Sequence, residues 1–173
     1  ERESIKELMR NRKDKVMEFF SDSGSFYNDI HLSFSALTHL LRHRIQSVIV
    51  PCYSSIPDIK TSNIMEENEK YSEAIAKEIE FLKFLKDNDV KNSSIIYFMS
   101  CGTVIPVAQY SNYRQLMHMS ELRSCSRAQK EIRVIINKIV DNSLEKNKEF
   151  EGFFGPSCSK SGVCKEGRFS CKK

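Results

Sequence analysis

Two long stretches of the chain repeat apolar residues at helical spacing, and they restrict the fold more than any other feature. The first spans 63–87, has acidic residues near its start, and carries Ile64, Tyr71, Ile75, Ile79, Leu82 and Leu85. The second spans about 112–145 and carries Leu116, Met119, Leu122, Ile132, Ile135, Ile136 and Ile139. Residues three or four apart share one face of a helix, so each stretch predicts an amphipathic helix with one buried side.

The segments between these helices predict a mixed structure. Residues 3–20 read as a further amphipathic helix, interrupted around the charged residues 10–15 and followed by a turn at SDSGS. After Asn28 and Asp29, a plausible cap, residues 31–50 predict a buried helix whose end could turn into a strand. Residues 93–107 are β-like, with Gly102 and Pro106 limiting any one strand. The fold class expected is therefore α/β (α+β), with long helices around a mixed sheet.

Size and composition favour a soluble globular protein. The chain has 173 residues, of which 40% are hydrophobic and 29% charged, and no apolar run approaches the ~20 residues that cross a bilayer. It begins at Glu1 without Met, so we expect residues before it. Six cysteines without a secretory signal indicate reduced thiols or metal ligands, hence a cytoplasmic protein with no membrane partner.

The chain divides into residues 1–151 and a Cys-rich basic tail, 152–173. The segment 158–173 has five basic residues and one acid, so its balance of +4 equals the net charge of the whole chain. The tail has too little apolar surface to fold by itself. A nucleic-acid contact is an unfavoured reading of it, because Phe169 is the only aromatic residue in 158–173.

Two clusters of basic residues could hold an anion. In the first, Arg42, His43 and Arg44 are contiguous, and a helix would spread them over roughly 200°, so at least one must point inward. In the second, Arg114 and His118 are four apart, and Arg123 lies about three turns after Asn112. Convergent arginines can clamp a phosphate in two-point geometry, but each cluster alone is also compatible with a solvated turn or surface ion pairs.

The two clusters together resemble the signature blocks of the flavin-dependent thymidylate synthases. RHRIQS matches the start of the family pattern RHRxxSxNxxSxRY, and NYRQLMHMSELRSCSRAQKEIR matches NxRxLxHFxxLRxxxxAQxEIR almost throughout. The cysteine-bearing ending also resembles a tail found on some members. The resemblance covers about residues 31–173 and implies a tetramer with active sites between subunits, which binds FAD and converts dUMP to dTMP with methylenetetrahydrofolate and NADPH.

The resemblance also implies roles for individual residues. Arg123 and Arg42 would contact the phosphate or the base of the nucleotide, Arg123 as the catalytic residue, and His39 stands where the family usually has a substrate-binding Gln. The flavin site would be lined by His43, Arg44, Ser47, Asn112, Arg114 and His118. Guanidinium groups suit phosphate, whereas imidazole and amide groups can contact the edge of a flavin ring.

The family pattern fails after Ser47, in its substrate loop. The family's Asn, Ser, Arg and Tyr are replaced by Ile49, Cys52, Ser54 and Ser55. Loss of charged hydrogen bonds, each worth ~1.5 to 3 kcal/mol, would weaken binding of dUMP. The alternative to an active enzyme is therefore a catalytically inactive flavin- or nucleotide-binding paralogue with a structural or regulatory role.

The cysteines of the tail could form a metal site. Their spacings are looser than the paired pattern of most zinc ribbons. If the tail folded back, a cysteine one turn past Arg123 could complete a zinc site, and the bound metal would compensate for the small apolar core of the tail. The candidate ligands are Cys125, Cys158, Cys164 and Cys171; a flexible tail with free thiols is the alternative.

Overall fold

The computed structural model describes residues 13–50, 60–61 and 68–171, and for 13–17, 60 and 61 the backbone alone. Its α-helices are α1 (Lys13–Asp22), α2 (Phe34–Leu40), α3 (Glu69–Asp87), α4 (Asn92–Ile95), α5 (Tyr113–Arg123), α6 (Lys130–Lys146) and α7 (Ser157–Ser161). The strands are β1 (Ser25–Ser33), β2 (Ser47–Ile49), β3 (Lys60–Thr61) and β4 (Thr103–Asn112). Short 3-10 turns occupy Ile96–Phe98, Lys148–Phe150 and Gly167–Phe169. The predicted class of mixed helix and sheet is confirmed.

The described residues form two compact units. Unit 1 contains residues 13–28, 43–47 and 109–171, and unit 2 contains 29–42, 48–50, 60–61 and 68–108. The strands form one sheet in the order β1-β4-β2, and β3 pairs antiparallel with β4. Within the described parts of the chain, no helix is long and apolar enough to span a membrane.

The start of the predicted helix over 31–50 is wrong, because residues 25–33 form β1. The burial of Ile30 and Leu32 alternates with the exposure of Asp29 and His31, which is the pattern of a strand. The helix that follows is short and is capped by Ser33, whose Oγ accepts a hydrogen bond from the N–H of Ala36 at 3.1 Å. The expected strand at its far end is confirmed as β2.

Residues 92–98 are helical, so the prediction of a β-like segment over 93–107 is wrong in its first half. The strand begins at Thr103, after a turn at Cys101 and Gly102, and it continues through Pro106. Every second residue of β4 is buried, from Thr103 to Ser111, and this alternation identifies a strand with one face in the core. A proline is compatible with a strand where its position requires no N–H donor.

The long helix predicted over 112–145 is two helices, α5 and α6. The break at 124–129 contains SCSRAQ, in which serine and cysteine favour a helix less than the flanking residues do. A turn in the break is closed by the hydrogen bond from the Ala128 N–H to the Cys125 carbonyl, at 2.9 Å. The helix predicted over 63–87 is confirmed from Glu69 onwards, with Asn68 as its cap.

The core of unit 1 contains a cluster of aromatic rings from distant parts of the chain. Phe20 of α1 has no exposed surface and contacts the rings of Phe150 and Phe153, with both centroids at 5.1 Å. Tyr113, at the start of α5, contacts Phe150 at 4.8 Å and Phe154 at 6.5 Å. The cluster therefore joins α1 and α5 to the segment after α6.

The segment that follows this cluster lies against α5. The Gly155 N–H donates to Ser120 Oγ at 3.1 Å, and Lys160 Nζ forms an ion pair with Glu121 Oε1 at 3.1 Å. Further along, the Nε of Arg127 donates to the carbonyl of Phe169 at 2.6 Å. Although the segment has few apolar side chains of its own, the first two contacts hold it on α5, and the third joins its end to the break that follows α5.

Candidate functional site

The first basic cluster lies in a turn between α2 and β2. The C-cap of α2 is Leu41, so Arg42, His43 and Arg44 follow the helix rather than forming part of it. The predicted helical placement of these residues is therefore wrong. The prediction that at least one points inward is confirmed, because His43 is 7% exposed while both arginines are exposed.

The second basic cluster contacts the first through Arg123. The Nε of Arg123, the last residue of α5, donates a hydrogen bond to Nε2 of His43 at 3.1 Å. His118, which lies five residues before Arg123 on α5, is edge-on to His43 with 5.7 Å between the ring centroids. Two sequence blocks that are 80 residues apart at this contact therefore meet at one buried imidazole.

His43 is neutral in the folded protein. Its pKa is lowered from 6.5 to about 4, first by burial, then by the positive charge of Arg123 and by His118. Because Nε2 accepts the bond from Arg123, the proton of the neutral ring is on Nδ1. The ring can therefore orient the guanidinium group without adding a second positive charge.

The other predicted flavin residues of the second block lie at the start of α5. Asn112 is the N-cap, and its Oδ1 accepts a hydrogen bond from the N–H of Gln115 while Gln115 Oε1 accepts one from the N–H of Asn112, both at 2.9 Å. Arg114 and His118 are both exposed on α5, as their spacing predicts.

A cavity of about 410 Å³ in unit 1 lies beside these residues. Two of its lining residues, Ser47 and Asn112, were predicted from the sequence as flavin contacts. The others are Ser21, Asp22, Gly24, Ser25, Ile45, Tyr110 and Gln115. Hydroxyl and amide groups dominate the lining, its one charged member among the described residues is Asp22, and none of these is a lysine or arginine, so the cavity suits a neutral heterocycle or a sugar chain better than a phosphate.

Unit 1 thus brings together His43, His118 and Arg123 at one point, and Ser47 and Asn112 at the cavity. Two further predicted residues belong to unit 2: His39 is half-buried in α2, and Arg42 is exposed in the turn after it. Ile49 ends β2 and is exposed, whereas Cys52, Ser54 and Ser55 lie outside the described residues.

The four predicted metal ligands form no disulfide bond, and Cys125, Cys158 and Cys164 are half-buried. In the part of the chain that the structure describes, no three His, Cys, Asp or Glu side chains are placed to hold a metal ion. The cysteines are therefore not assembled into a ligand set here, and zinc stays a prediction.

The contact between the two blocks agrees with the comparison with known families. A family profile described as "Thymidylate synthase complementing protein" matches residues 1–146. The chain belongs to this family. A flavin-dependent thymidylate synthase of Clostridium tetani is 27% identical to it over 207 residues, covering 99% of this chain and 82% of the relative. A flavin-dependent thymidylate synthase of Nitratidesulfovibrio vulgaris is 26% identical over 191 residues, covering 95% of this chain and 78% of the relative. The family expected from the sequence is confirmed, and membership supports a role in thymidylate synthesis.

The sequence patterns missed several residues of this site. Gln115 occupies a variable position of the second block, and Asp22 and Ser25 flank a turn that was recognised only as a turn. Gln109 was also missed, although the alternation of β4 would have marked it as the polar residue in a row of buried side chains. A buried amide in such a row is a signal, because it requires hydrogen-bond partners.

Proposed function

We propose that the chain is a flavin-dependent thymidylate synthase that methylates dUMP to dTMP, with methylenetetrahydrofolate and NADPH as co-substrates. Family membership supports the reaction class. The observation that carries the assignment to this chain's own residues is the hydrogen bond between Arg123 and His43, because it joins the two sequence blocks, and with them a proposed nucleotide contact and a proposed flavin contact, at one place.

Arg123 is the residue we assign to the nucleotide. A guanidinium group has five N–H donors, and the bond to His43 uses one of them and fixes the plane of the group. Held in this way, Arg123 would bind the phosphate or the base of the nucleotide as its catalytic contact. The family resemblance alone is the basis on which we also propose Arg42 and His39 as substrate contacts. A neutral His43 leaves the positive charge at this point on Arg123, where an anionic substrate needs it.

The residues present fit a flavin. FAD, when bound, supplies hydride transfer to the uracil ring. The cavity with Ser47 and Asn112, rich in hydroxyl and amide groups, suits the uncharged part of the cofactor, and the exposed Arg44 and Arg114 suit its phosphates. His43 and His118 would complete the flavin contacts.

A second function is favoured by the altered substrate loop. Without the family's arginine and tyrosine, at Ser54 and Ser55, the chain could bind flavin or a nucleotide without performing the synthase reaction. Such a protein would be a structural or regulatory paralogue. It would retain the Arg123–His43 contact and the cavity, so an assay of turnover is needed to separate it from the enzyme.

The experiment measures the binding of FAD and the turnover of dUMP separately. Purified protein should be yellow and release FAD, and it should release tritium from 5-tritiated dUMP when folate and NADPH are added. Arg123→Ala should abolish release, whereas Arg168→Ala, which also removes one arginine but lies in the tail, should retain it. Flavin uptake without tritium release would support the flavin-binding paralogue, whereas a protein that takes up no FAD would refute the enzyme and leave only a nucleotide-binding paralogue.

Assembly and location are also proposed on the basis of the family. We expect a homotetramer with active sites between subunits, working in the cytoplasm. Light scattering of the purified protein should give a mass near four times 20.1 kDa. A monomeric protein with full activity would contradict an active site shared between subunits.

A further inference from the structure

The segment His43–Ser47, here called the motif loop, has little structure of its own. It has no helix, and only its last residue belongs to a strand. Its internal backbone bond runs from the Gln46 N–H to the His43 carbonyl and is long, at 3.4 Å. The position of the exposed Arg44 and Ser47 side chains must therefore depend on contacts that reach the motif loop from other elements of unit 1.

Three side chains from β4 and α5 supply such contacts. Arg123 donates to the His43 ring, and Gln109 Nε2 donates to Gln46 Oε1 at 2.5 Å. Gln109 itself has no exposed surface and is fixed at its other end, where its Oε1 accepts from Asn28 Nδ2 at 3.0 Å. Both of these bonds end on side chains of the motif loop, so rotation of those side chains can still leave the backbone free to shift.

Gln115 differs because it binds the backbone. Its Nε2 donates to the Ile45 carbonyl at 2.5 Å, while its Oε1 accepts the N–H of Asn112 at 2.9 Å. One amide group thus joins the middle of the motif loop to the residue that begins α5. Ile45 and Asn112 both line the 410 Å³ cavity, and so does Gln115.

We propose that Gln115 is a positioning residue that fixes the motif loop against the start of α5, so that Ser47 and Asn112 are held at a set separation across the cavity. This inference rests on the proposed function, in which the cavity receives part of FAD. Gln115 acts through the Ile45 backbone and through Asn112.

Two substitutions distinguish the contact of Gln115 with the Ile45 carbonyl from its part in capping α5 and from an effect of added charge. Gln115→Glu keeps the acceptor of the capping box, which glutamate commonly provides, but it replaces the donor that faces Ile45 by an oxygen. Gln115→Met removes both side-chain bonds without adding a charge. Asn147→Ala is the matched control, because it deletes another side-chain amide donor in unit 1, the one from Asn147 Nδ2 to the Tyr113 hydroxyl at 2.6 Å.

The first measurement does not depend on flavin. Trypsin cleavage between Arg44 and Ile45, followed by mass spectrometry, reports how easily the motif loop leaves its place, because Arg44 is exposed and adjoins the anchored residue. Both Gln115 variants should be cut several-fold faster there than the wild type or Asn147→Ala. Equal rates in all four proteins would overturn the proposal, whether or not FAD binds.

The second measurement is the FAD dissociation constant from quenching of flavin fluorescence. Both Gln115 variants lose the hydrogen bond to the Ile45 carbonyl, and this shared loss predicts an increase of about tenfold in the dissociation constant of each, at a thermal midpoint no lower than that of Asn147→Ala. Faster cleavage with unchanged FAD affinity would overturn the positioning role. A wild-type protein that binds no FAD would overturn the proposed function, and the cleavage rates alone would then decide whether Gln115 holds the motif loop.

Discussion

The neutral, buried His43 predicts a specific loss of stability in mild acid. In the unfolded chain a histidine titrates near 6.5, whereas the pKa of His43 in the folded protein is lowered to about 4 by burial, Arg123 and His118. Between these values the unfolded state binds a proton that the folded state does not. The stabilisation is therefore complete above pH 6.5 and is lost as the pH falls towards 4.

The size of this loss follows from the pKa difference. One pKa unit corresponds to about 1.36 kcal/mol, so a shift from 6.5 to about 4 amounts to about 3 kcal/mol. His43 is 7% exposed, so solvent screens this interaction little. A loss of that size is a large part of the 5 to 15 kcal/mol that stabilises a typical domain.

The assay compares urea unfolding of the wild type and His43→Gln between pH 4 and 8. Glutamine does not titrate, and its Oε1 can accept the Arg123 bond in place of the imidazole Nε2. Carboxylates contribute to acid unfolding equally in both proteins, so the difference between the two curves isolates His43. The wild type should lose about 3 kcal/mol relative to the variant on going from pH 7.5 to 4. Parallel curves, or a native His43 that titrates near 6.5 by NMR, would refute the reasoning.

Three further predictions concern the rest of unit 1. Phe20→Ala should lower the free energy of unfolding by about 3 to 5 kcal/mol in urea, because the ring is fully buried; the exposed neighbour Phe19 should tolerate alanine with a clearly smaller loss. Lys160→Met should release the C-terminal segment from Glu121, seen as faster trypsin cleavage after Lys165; unchanged cleavage would mean that the ion pair is dispensable. Burial and the charge of Glu149 raise the pKa of Tyr113, so Glu149→Gln should bring the titration of Tyr113, followed by absorbance, to lower pH; an unchanged titration would mean that Glu149 does not act on it.

The helices were predictable where one face was apolar over many turns, as in α3 and α6. The prediction failed where two elements follow each other without a break in apolar density. Between residues 30 and 41 the strand β1 passes directly into α2, and the signal that separates them is a single serine cap. Short elements provide too few residues for periodicity to distinguish a period of 2 from one of 3.6.

Part of the site was predictable because motifs of basic residues imply a shared ligand. The sequence named both Arg123 and His43, but not the bond between them, since spacing along a chain does not determine which distant side chains meet. Gln115 was missed for another reason. Its function lies in contacts with the motif loop and the start of α5, and a glutamine on a half-buried helix face has the same appearance in a sequence as one in solvent.

The aromatic cluster limits how early the core of unit 1 can be completed during synthesis. Unit 2 lies within residues 29–108, so all of its described residues are available early. Unit 1 needs Phe20 from the beginning of the chain and Phe153 and Phe154 from near its end. During synthesis, more than 130 residues must therefore be added after Phe20 before Phe153 is available to contact its ring. Until then Phe20 lacks these ring partners, and transiently exposed apolar side chains of this kind are what chaperones bind.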